Sequence, residues 1–122
     1  MEAIRKVVEA YFAAWNEQDP AVRDRLLEQA WADDGVLTTP RMGRVSGRKA
    51  VLEHIGGFSK RFPGARVVRT SGVDEHHGLL RYTWRIVAAD GKPIVDGTDF
   101  DELAPDGRLQ RIAEFDDPAP AG

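Results

Sequence analysis

The stretch Val95-Asp96-Gly97-Thr98-Asp99-Phe100-Asp101-Glu102-Leu103 lies between two turn signals, Asp90-Gly91 before it and Pro105-Asp106-Gly107 after it. A β-prone run bounded in this way predicts a strand. Side chains alternate along a strand, so Val95, Gly97, Asp99, Asp101 and Leu103 share one face, and Asp96, Thr98, Phe100 and Glu102 share the other. If the first set points inward, the Asp99 carboxyl stands among apolar neighbours. A charge there is costly unless paired, and a carboxyl that keeps its proton in a dry pocket can donate a hydrogen bond to a ligand. Two readings of Asp99 are open at this point: a structural acid bonded to Tyr82, Tyr11 or a backbone group, and a ligand-facing group.

Outward from this strand the period changes. Arg66–Glu75, Gly78–Ala88 and Arg108–Phe115 are further β-rich segments separated by short polar turns, and together they predict an antiparallel meander without a parallel crossover. Upstream, Ile4, Val7, Val8, Tyr11, Phe12 and Trp15 recur at helical spacing and predict an amphipathic helix from about Glu2 to Glu17. Asp19-Pro20 supplies a cap and a first-turn proline for a second helix that turns Val22, Leu26, Leu27, Ala30 and Trp31 inward, with Asp33-Asp34-Gly35 stopping it. Val51, Ile55, Phe58 and Phe62 mark a third helix, in which Gly56-Gly57 implies close packing or a kink. The segment between the second and third helices, around Pro40, Gly43 and Gly47, reads as a loop after a short β-prone run, Val36–Thr39.

At 122 residues, 42% of them hydrophobic and 30% charged, the chain is sized for one domain, expected over residues 1–116, with a disordered tail at 117–122. No apolar run approaches the roughly 18 residues of a membrane span, so a soluble, cytoplasmic protein without membrane partners is expected. The net charge of −3 argues against nucleic-acid binding. The absence of cysteine excludes disulfides, thiolate catalysis and thiolate zinc sites. His76 and His77 are adjacent in a turn, where their side chains are expected to diverge, and no third ligand at metal spacing accompanies them.

A tight turn at Asp90-Gly91 sets Ile86 opposite Val95, Trp84 opposite Gly97 and Tyr82 opposite Asp99. Trp84 then covers the bare backbone of Gly97, and the Tyr82 hydroxyl approaches Asp99. Extending the register through Asp106-Gly107 pairs Asp99 with Ala113, Gly97 with Phe115 and Asp101 with Arg111, the last as an ion pair. The outcome is an aromatic-walled face holding one acid. Trp15, Phe58, Tyr82, Trp84 and Phe115 are the expected wall, selecting a small apolar or aromatic ligand. His54 borders the stripe of the third helix and is a candidate general base, or a boundary side chain with one satisfied nitrogen.

Tyr11-Phe12-Ala13-Ala14-Trp15-Asn16-Glu17-Gln18-Asp19, Trp31-Ala32-Asp33-Asp34-Gly35, Gly47-Arg48-Lys49-Ala50-Val51, Gly97-Thr98-Asp99-Phe100 and Asp106-Gly107-Arg108-Leu109, in this order and spacing, resemble the NTF2-like superfamily and its SnoaL-like branch. The resemblance covers nearly all of the chain up to Phe115. It implies an α+β cone of three N-terminal helices on a curved, mostly antiparallel sheet of four to five strands. It further implies a homodimer through the outer face of the sheet, where Val67, Val73 and Val87 are expected. Tyr11 and Asp99 match the positions of the oxyanion-hole tyrosine and aspartic acid of ketosteroid isomerases, and Asp99 also matches the acid that serves SnoaL-like cyclases. The isomerases' basic aspartate, just before a proline, is replaced here by Thr39. Two function classes follow: a cofactor-independent isomerase or cyclase using Asp99, Tyr11 and His54 for proton transfer, and a non-catalytic ligand-binding or assembly module, since this fold hosts both.

Overall fold

The computed structural model describes residues 1–122. Helix α1 spans Glu2–Asn16, α2 Pro20–Ala30 and α3 Arg48–Arg61. The strands are β1 Trp31–Thr39, β2 Gly43–Ser46, β3 Arg66–Arg69, β4 Asp74–His76, β5 Leu79–Val87, β6 Pro93–Leu103 and β7 Leu109–Asp117. The three helices pack on one curved sheet of seven strands in the order β2-β1-β7-β6-β5-β3, with β4 also on β5. The core between the layers takes Val8, Tyr11, Phe12 and Trp15 from α1, Leu27 and Ala30 from α2, and Val51 and Ile55 from α3. The sheet adds Trp31, Leu37, Leu80, Tyr82, Trp84, Leu109 and Ile112. These are the positions that helical and strand periods turn inward.

Four features fix the elements against each other. Asp19 caps α2 through its Oδ1, which accepts from the Ala21 N–H. Arg23 is buried and donates from Nε and Nη2 to the Glu17 carbonyl, at 3.2 and 2.6 Å, tying α2 to the end of α1. At Gly56 a Cβ would lie 3.4 Å from Arg23 Nη1, so this glycine lets α3 approach α2 while the helix continues unbroken to Arg61. At the far edge of the sheet, Asn16 pairs with the Val67 backbone in both directions: Nδ2 donates to the carbonyl at 2.9 Å and the Val67 N–H donates to Oδ1 at 2.8 Å. A side-chain amide here satisfies part of the β3 edge.

Several elements differ from the sequence reading. The sheet has seven strands rather than four or five, because the presumed loop after the second helix is the hairpin β1–β2, and the segment 66–75 is divided into β3 and β4. Helix α2 ends at Ala30, and Trp31 opens β1 instead of closing the helix. A strand was hidden there because its apolar residues are separated by Asp33-Asp34-Gly35, where the pairing with β7 is irregular. That pairing is parallel, so the sheet is mixed although mostly antiparallel. The last strand continues through Asp117, which accepts from the Thr98 hydroxyl, so the residues without regular structure begin at Pro118. The rings of His76 and His77 do not diverge: their Nδ1 atoms lie 3.2 Å apart. No helix is long and apolar enough to cross a membrane.

The β5–β6 register is the expected one, with Tyr82 opposite Asp99, Trp84 opposite Gly97 and Ile86 opposite Val95. The β6–β7 register is shifted by one residue. Asp99 faces Glu114 rather than Ala113, Gly97 faces Asp116 rather than Phe115, and Asp101 faces Ile112 rather than Arg111. An irregularity between Glu102 and Leu103 absorbs the extra residue, and such a bulge moves every later side chain to the other face. Phe115 therefore leaves the pocket wall. It is 56% exposed on the outer face, edge-to-face with Phe100 at 5.7 Å. The Asp101–Arg111 ion pair does not form. Val67 is buried in the core and Val73 packs against it, so of the three expected valines only the half-buried Val87 is not drawn into the core, and the exposed apolar side chains of the outer face are Val68, Leu79, Phe100 and Phe115.

At Gly97 a Cβ would stand 2.1 Å from Trp84 Cζ2, far inside contact distance. Gly97→Ala is expected to push the indole away and destabilise the fold by about 1–3 kcal/mol through overpacking. Urea unfolding at neutral pH checks this; an alanine variant within 0.5 kcal/mol (about the size of a neutral surface change) would mean that Trp84 is free to move.

Candidate functional site

The inner face of β5, β6 and β7 carries the site. The rung Tyr82–Asp99–Glu114 runs across the three strands, with Leu80–Asp101–Ile112 as the next rung toward the end of β6. Directly opposed residues on one face stand about 4.5–5.5 Å apart at Cβ, so Asp99 and Glu114 are immediate neighbours. The Trp84 indole lies over Gly97, and its Nε1 donates to Asp99 Oδ1 at 2.7 Å. Asp99 and Asp101 are each only 2% exposed. The Asp101 carboxyl, the Tyr82 hydroxyl and the Trp31 indole N–H are buried without a hydrogen-bond partner. Tyr82 stands close enough to both aspartates to favour their ionised forms, yet its geometry makes a bond to neither.

Burial dominates the acid–base behaviour of this face. It pushes Asp99 up to about 7, against the hydrogen bond from Trp84 and the nearness of the Tyr82 hydroxyl, both of which favour the ionised form. Glu114 is raised to about 8, first by burial and then by the Asp99 charge, while Arg41 opposes and Asp116 adds to the rise. Asp101 is raised well above the carboxylate range by burial and by Asp99. The Tyr11 and Tyr82 phenols are raised for the same reason, burial first and the neighbouring acids second. Near neutral pH the Asp99–Glu114 pair therefore holds about one proton between two adjacent carboxyls, an arrangement in which one group can donate while the other accepts.

Two adjoining cavities lead to these acids, and Trp15, Ile86 and Glu114 belong to the walls of both. The outer cleft measures about 410 Å³. Trp15, Phe58 and Phe62 of the helical layer, Ile86, Ile94 and Val95 of the sheet, and Thr39–Met42 of the β1–β2 turn line it, together with His54, Arg61 and Glu114. The inner chamber, among Tyr11, Phe12, Trp15, Trp84 and Asp99, measures only about 30 Å³. That is the volume share of a single water molecule, so only one small group enters it. At the mouth, Arg41 reaches from the turn to the Asp116 carboxylate, with Nη1 and Nη2 on its two oxygens. A larger, open groove of about 700 Å³ at the start of α3 is mostly polar, and its Arg48 is engaged by Asp24 and Asp33.

The structure thus brings together Tyr11, Trp15, Trp84 and Asp99 at the inner chamber, and Trp15, Phe58 and His54 in the outer cleft. Tyr82 sits beside them, buried behind Asp99 and edge-on to Phe12 at 5.5 Å. Phe115 is excluded, as described. His54 packs edge-on against Trp15 at 5.6 Å, and burial and the nearby Arg61 lower its pKa, so it is a neutral imidazole at pH 7. It lies with Glu114 along the cleft rather than with Asp99 in the chamber. The residue missed by sequence reasoning is Glu114. A signal for it exists: Leu109 and Ile112, three apart, cannot both face inward on a regular strand, so a local irregularity is implied, and Ile112 inward puts Glu114 inward. No cluster of three or more histidine or carboxylate side chains is arranged to hold a metal ion.

Against known proteins, the profile of a family described as SnoaL-like domain matches residues 8–112. A solved structure from Agrobacterium tumefaciens str. C58, named as a candidate isomerase of the SnoaL-like family, is 32% identical. It superposes with a TM-score of 0.88 over 97% of this chain and 100% of its own. An NTF2-like protein of unknown function from Exiguobacterium sp. 255-15 is 19% identical, with a TM-score of 0.74 over 93% of this chain and 99% of its own. A candidate SnoaL-like polyketide cyclase from Jannaschia sp. CCS1 is 17% identical, with a TM-score of 0.72 over 94% of this chain and 85% of its own. These last two show the fold alone. No curated protein matches the sequence.

The acids make the fold pH-sensitive in a definite direction. Asp99, Asp101 and Glu114 bind protons more tightly folded than unfolded. Stability therefore falls as pH rises from the ordinary carboxylate range near 4 through 7 and 8, by about 1.4 kcal/mol per pH unit for each group that stays protonated only in the fold. Glu114→Gln, which keeps shape without the charge, is expected to be more stable than the parent at pH 8 and to flatten the profile. Urea melts from pH 5 to 8.5 read this; a parent curve that rises with pH across that window would show the acids to be ionised anchors.

Proposed function

The chain belongs to the SnoaL-like family, and from that premise we propose that it is a cofactor-independent isomerase or cyclase moving a proton on a small, apolar carbonyl compound. The observation that carries this reading is the rung Asp99–Glu114, a buried and a half-buried carboxyl sharing about one proton next to an apolar cleft. The indole N–H of Trp84 favours the ionised form of Asp99, so Asp99 is the base and Glu114, facing the cleft, is the acid. A carbonyl oxygen accepts the Glu114 proton as a hydrogen bond, while the neighbouring C–H enters the inner chamber and gives its proton to Asp99. The enolate is held by Glu114 and Tyr11 in a water-poor site. Return of the proton from Asp99 to a different carbon isomerises the substrate. Attack of the enolate carbon on a second carbonyl, whose oxygen takes the proton, closes a ring. The role of the basic aspartate missing before Pro40 thereby falls to Asp99 on β6, and His54 is left as a second, outer base.

The name of the Agrobacterium protein, a candidate isomerase, agrees with this class. The narrowness of the inner chamber favours the second reading, a binding module whose cleft holds an apolar ligand without turnover. Conjugation of 3-cyclohexen-1-one in D₂O, followed by proton NMR, separates the two. The enzyme reading expects isomerisation and deuterium uptake above buffer, falling about 10²–10⁴-fold in Asp99→Asn and in Glu114→Gln; no acceleration by the parent protein, or none lost in both variants, favours the binder.

We also propose a homodimer through the outer sheet face, supported by the exposed Phe100–Phe115 pair with Leu79 and Val68 on that face. Light scattering at micromolar concentration is expected to give twice the chain mass, and Phe115→Glu the single mass; a parent monomer would exclude it.

A further inference from the structure

The mouth of the outer cleft is cationic, and its cations are differently engaged. Arg41 is held by Asp116. Arg61, in the last turn of α3, has no carboxylate partner; its only polar contact is a long one, Nη2 to the Met42 sulfur at 4.0 Å, within the same lining. His54, about two turns before it on α3, is neutral at pH 7 and adds no charge, and Glu114 at the inner end keeps its proton there. The wall between is Trp15, Phe58, Phe62, Ile86, Ile94 and Val95. The cleft thus has a proton donor at its deep end, an aromatic and aliphatic middle, and an unpaired guanidinium at its mouth. A guanidinium presents a planar fork of N–H donors that matches a carboxylate, and its position beside apolar walls strengthens that pairing over one in open water.

We propose that the ligand is an apolar carbonyl compound bearing a carboxylate, which pairs with Arg61 while the carbonyl points at Glu114. This names the substrate class of the site proposed above and rests on that reading. Neutral ketones bind the cleft more weakly than their acidic counterparts, and Arg61 sets that preference without taking part in proton transfer.

The test is calorimetric titration, at pH 7 and low salt, of 6-acetyl-2-naphthoate and its neutral isostere 6-acetyl-2-naphthamide. The parent is expected to bind the acid about tenfold more tightly than the amide. Arg61→Gln should abolish the difference, whereas Lys60→Gln, the same loss of charge at a neighbouring exposed residue, should preserve it. Both variants change exposed side chains and leave the core intact. Equal binding of acid and amide by the parent overturns the inference and leaves the apolar cleft standing. A preference that survives Arg61→Gln, or that Lys60→Gln removes equally, overturns it by assigning the effect to another cation or to net charge. Failure of both probes to bind overturns it together with the ligand pocket itself.

Discussion

The Trp84 indole lying on the bare backbone of Gly97 and donating to Asp99 is the contact on which the rest of the site depends. A large aromatic ring buries most of its surface only where a neighbouring position has no side chain, and Gly97 provides that position at the centre of β6. With the ring seated there, its N–H has one acceptor in reach, and that acceptor is a carboxyl two residues along the same face. The bond holds the Asp99 carboxyl in place and favours its ionised form, against the burial that raises its pKa. One packing event therefore determines both the wall of the inner chamber and its proton inventory.

Three carboxyls on one buried sheet face are a liability that the fold tolerates by keeping them protonated. Ionising them all would bury charges with no cation on that face, and Arg41, the nearest one acting on Glu114, is already held by Asp116. A neutral carboxyl costs far less to bury, so the interior trades stability at high pH for groups that exchange protons near neutrality. Asp101 belongs to the same balance: its carboxyl is buried without a hydrogen-bond partner, and burial and the Asp99 charge keep it protonated although the nearby Tyr82 hydroxyl opposes this.

Division of labour between the two layers gives the cleft its graded character. The sheet supplies acids, because alternation on β6 and β7 can place polar groups inward one rung at a time. The helices supply rings and cations: Trp15 and Phe58 at van der Waals depth, His54 one turn out, Arg61 at the end of α3 where a cation also suits the helix terminus. The β1–β2 turn closes the remaining side with Thr39–Met42. Membership in the SnoaL-like family describes this scaffold; the charges along the cleft are particular to the residues this chain places on it.

Local sequence settled whatever depends on period and on short turns. The stripe Val8-Tyr11-Phe12-Trp15, the Asp19-Pro20 cap, the stripe Val51-Ile55-Phe58 and the hairpin register that sets Tyr82 against Asp99 and Trp84 against Gly97 are all legible, because each rests on neighbours within a few residues. The inward acid Asp99 followed from the same alternation. What only the tertiary structure decided lies beyond irregularities that a period cannot carry across. An extra residue on β7, Gln110, between the pairs Leu103–Leu109 and Glu102–Arg111, exchanged Phe115 for Glu114 on the inner face, turning a hydrophobic wall into a second acid. The irregular run Asp33-Asp34-Gly35 concealed a strand whose partner, β7, is more than seventy residues away and parallel to it. Side-chain alternation has a period of two, so a single inserted residue inverts every inference downstream, and long-range pairing leaves no local mark by which to see it coming.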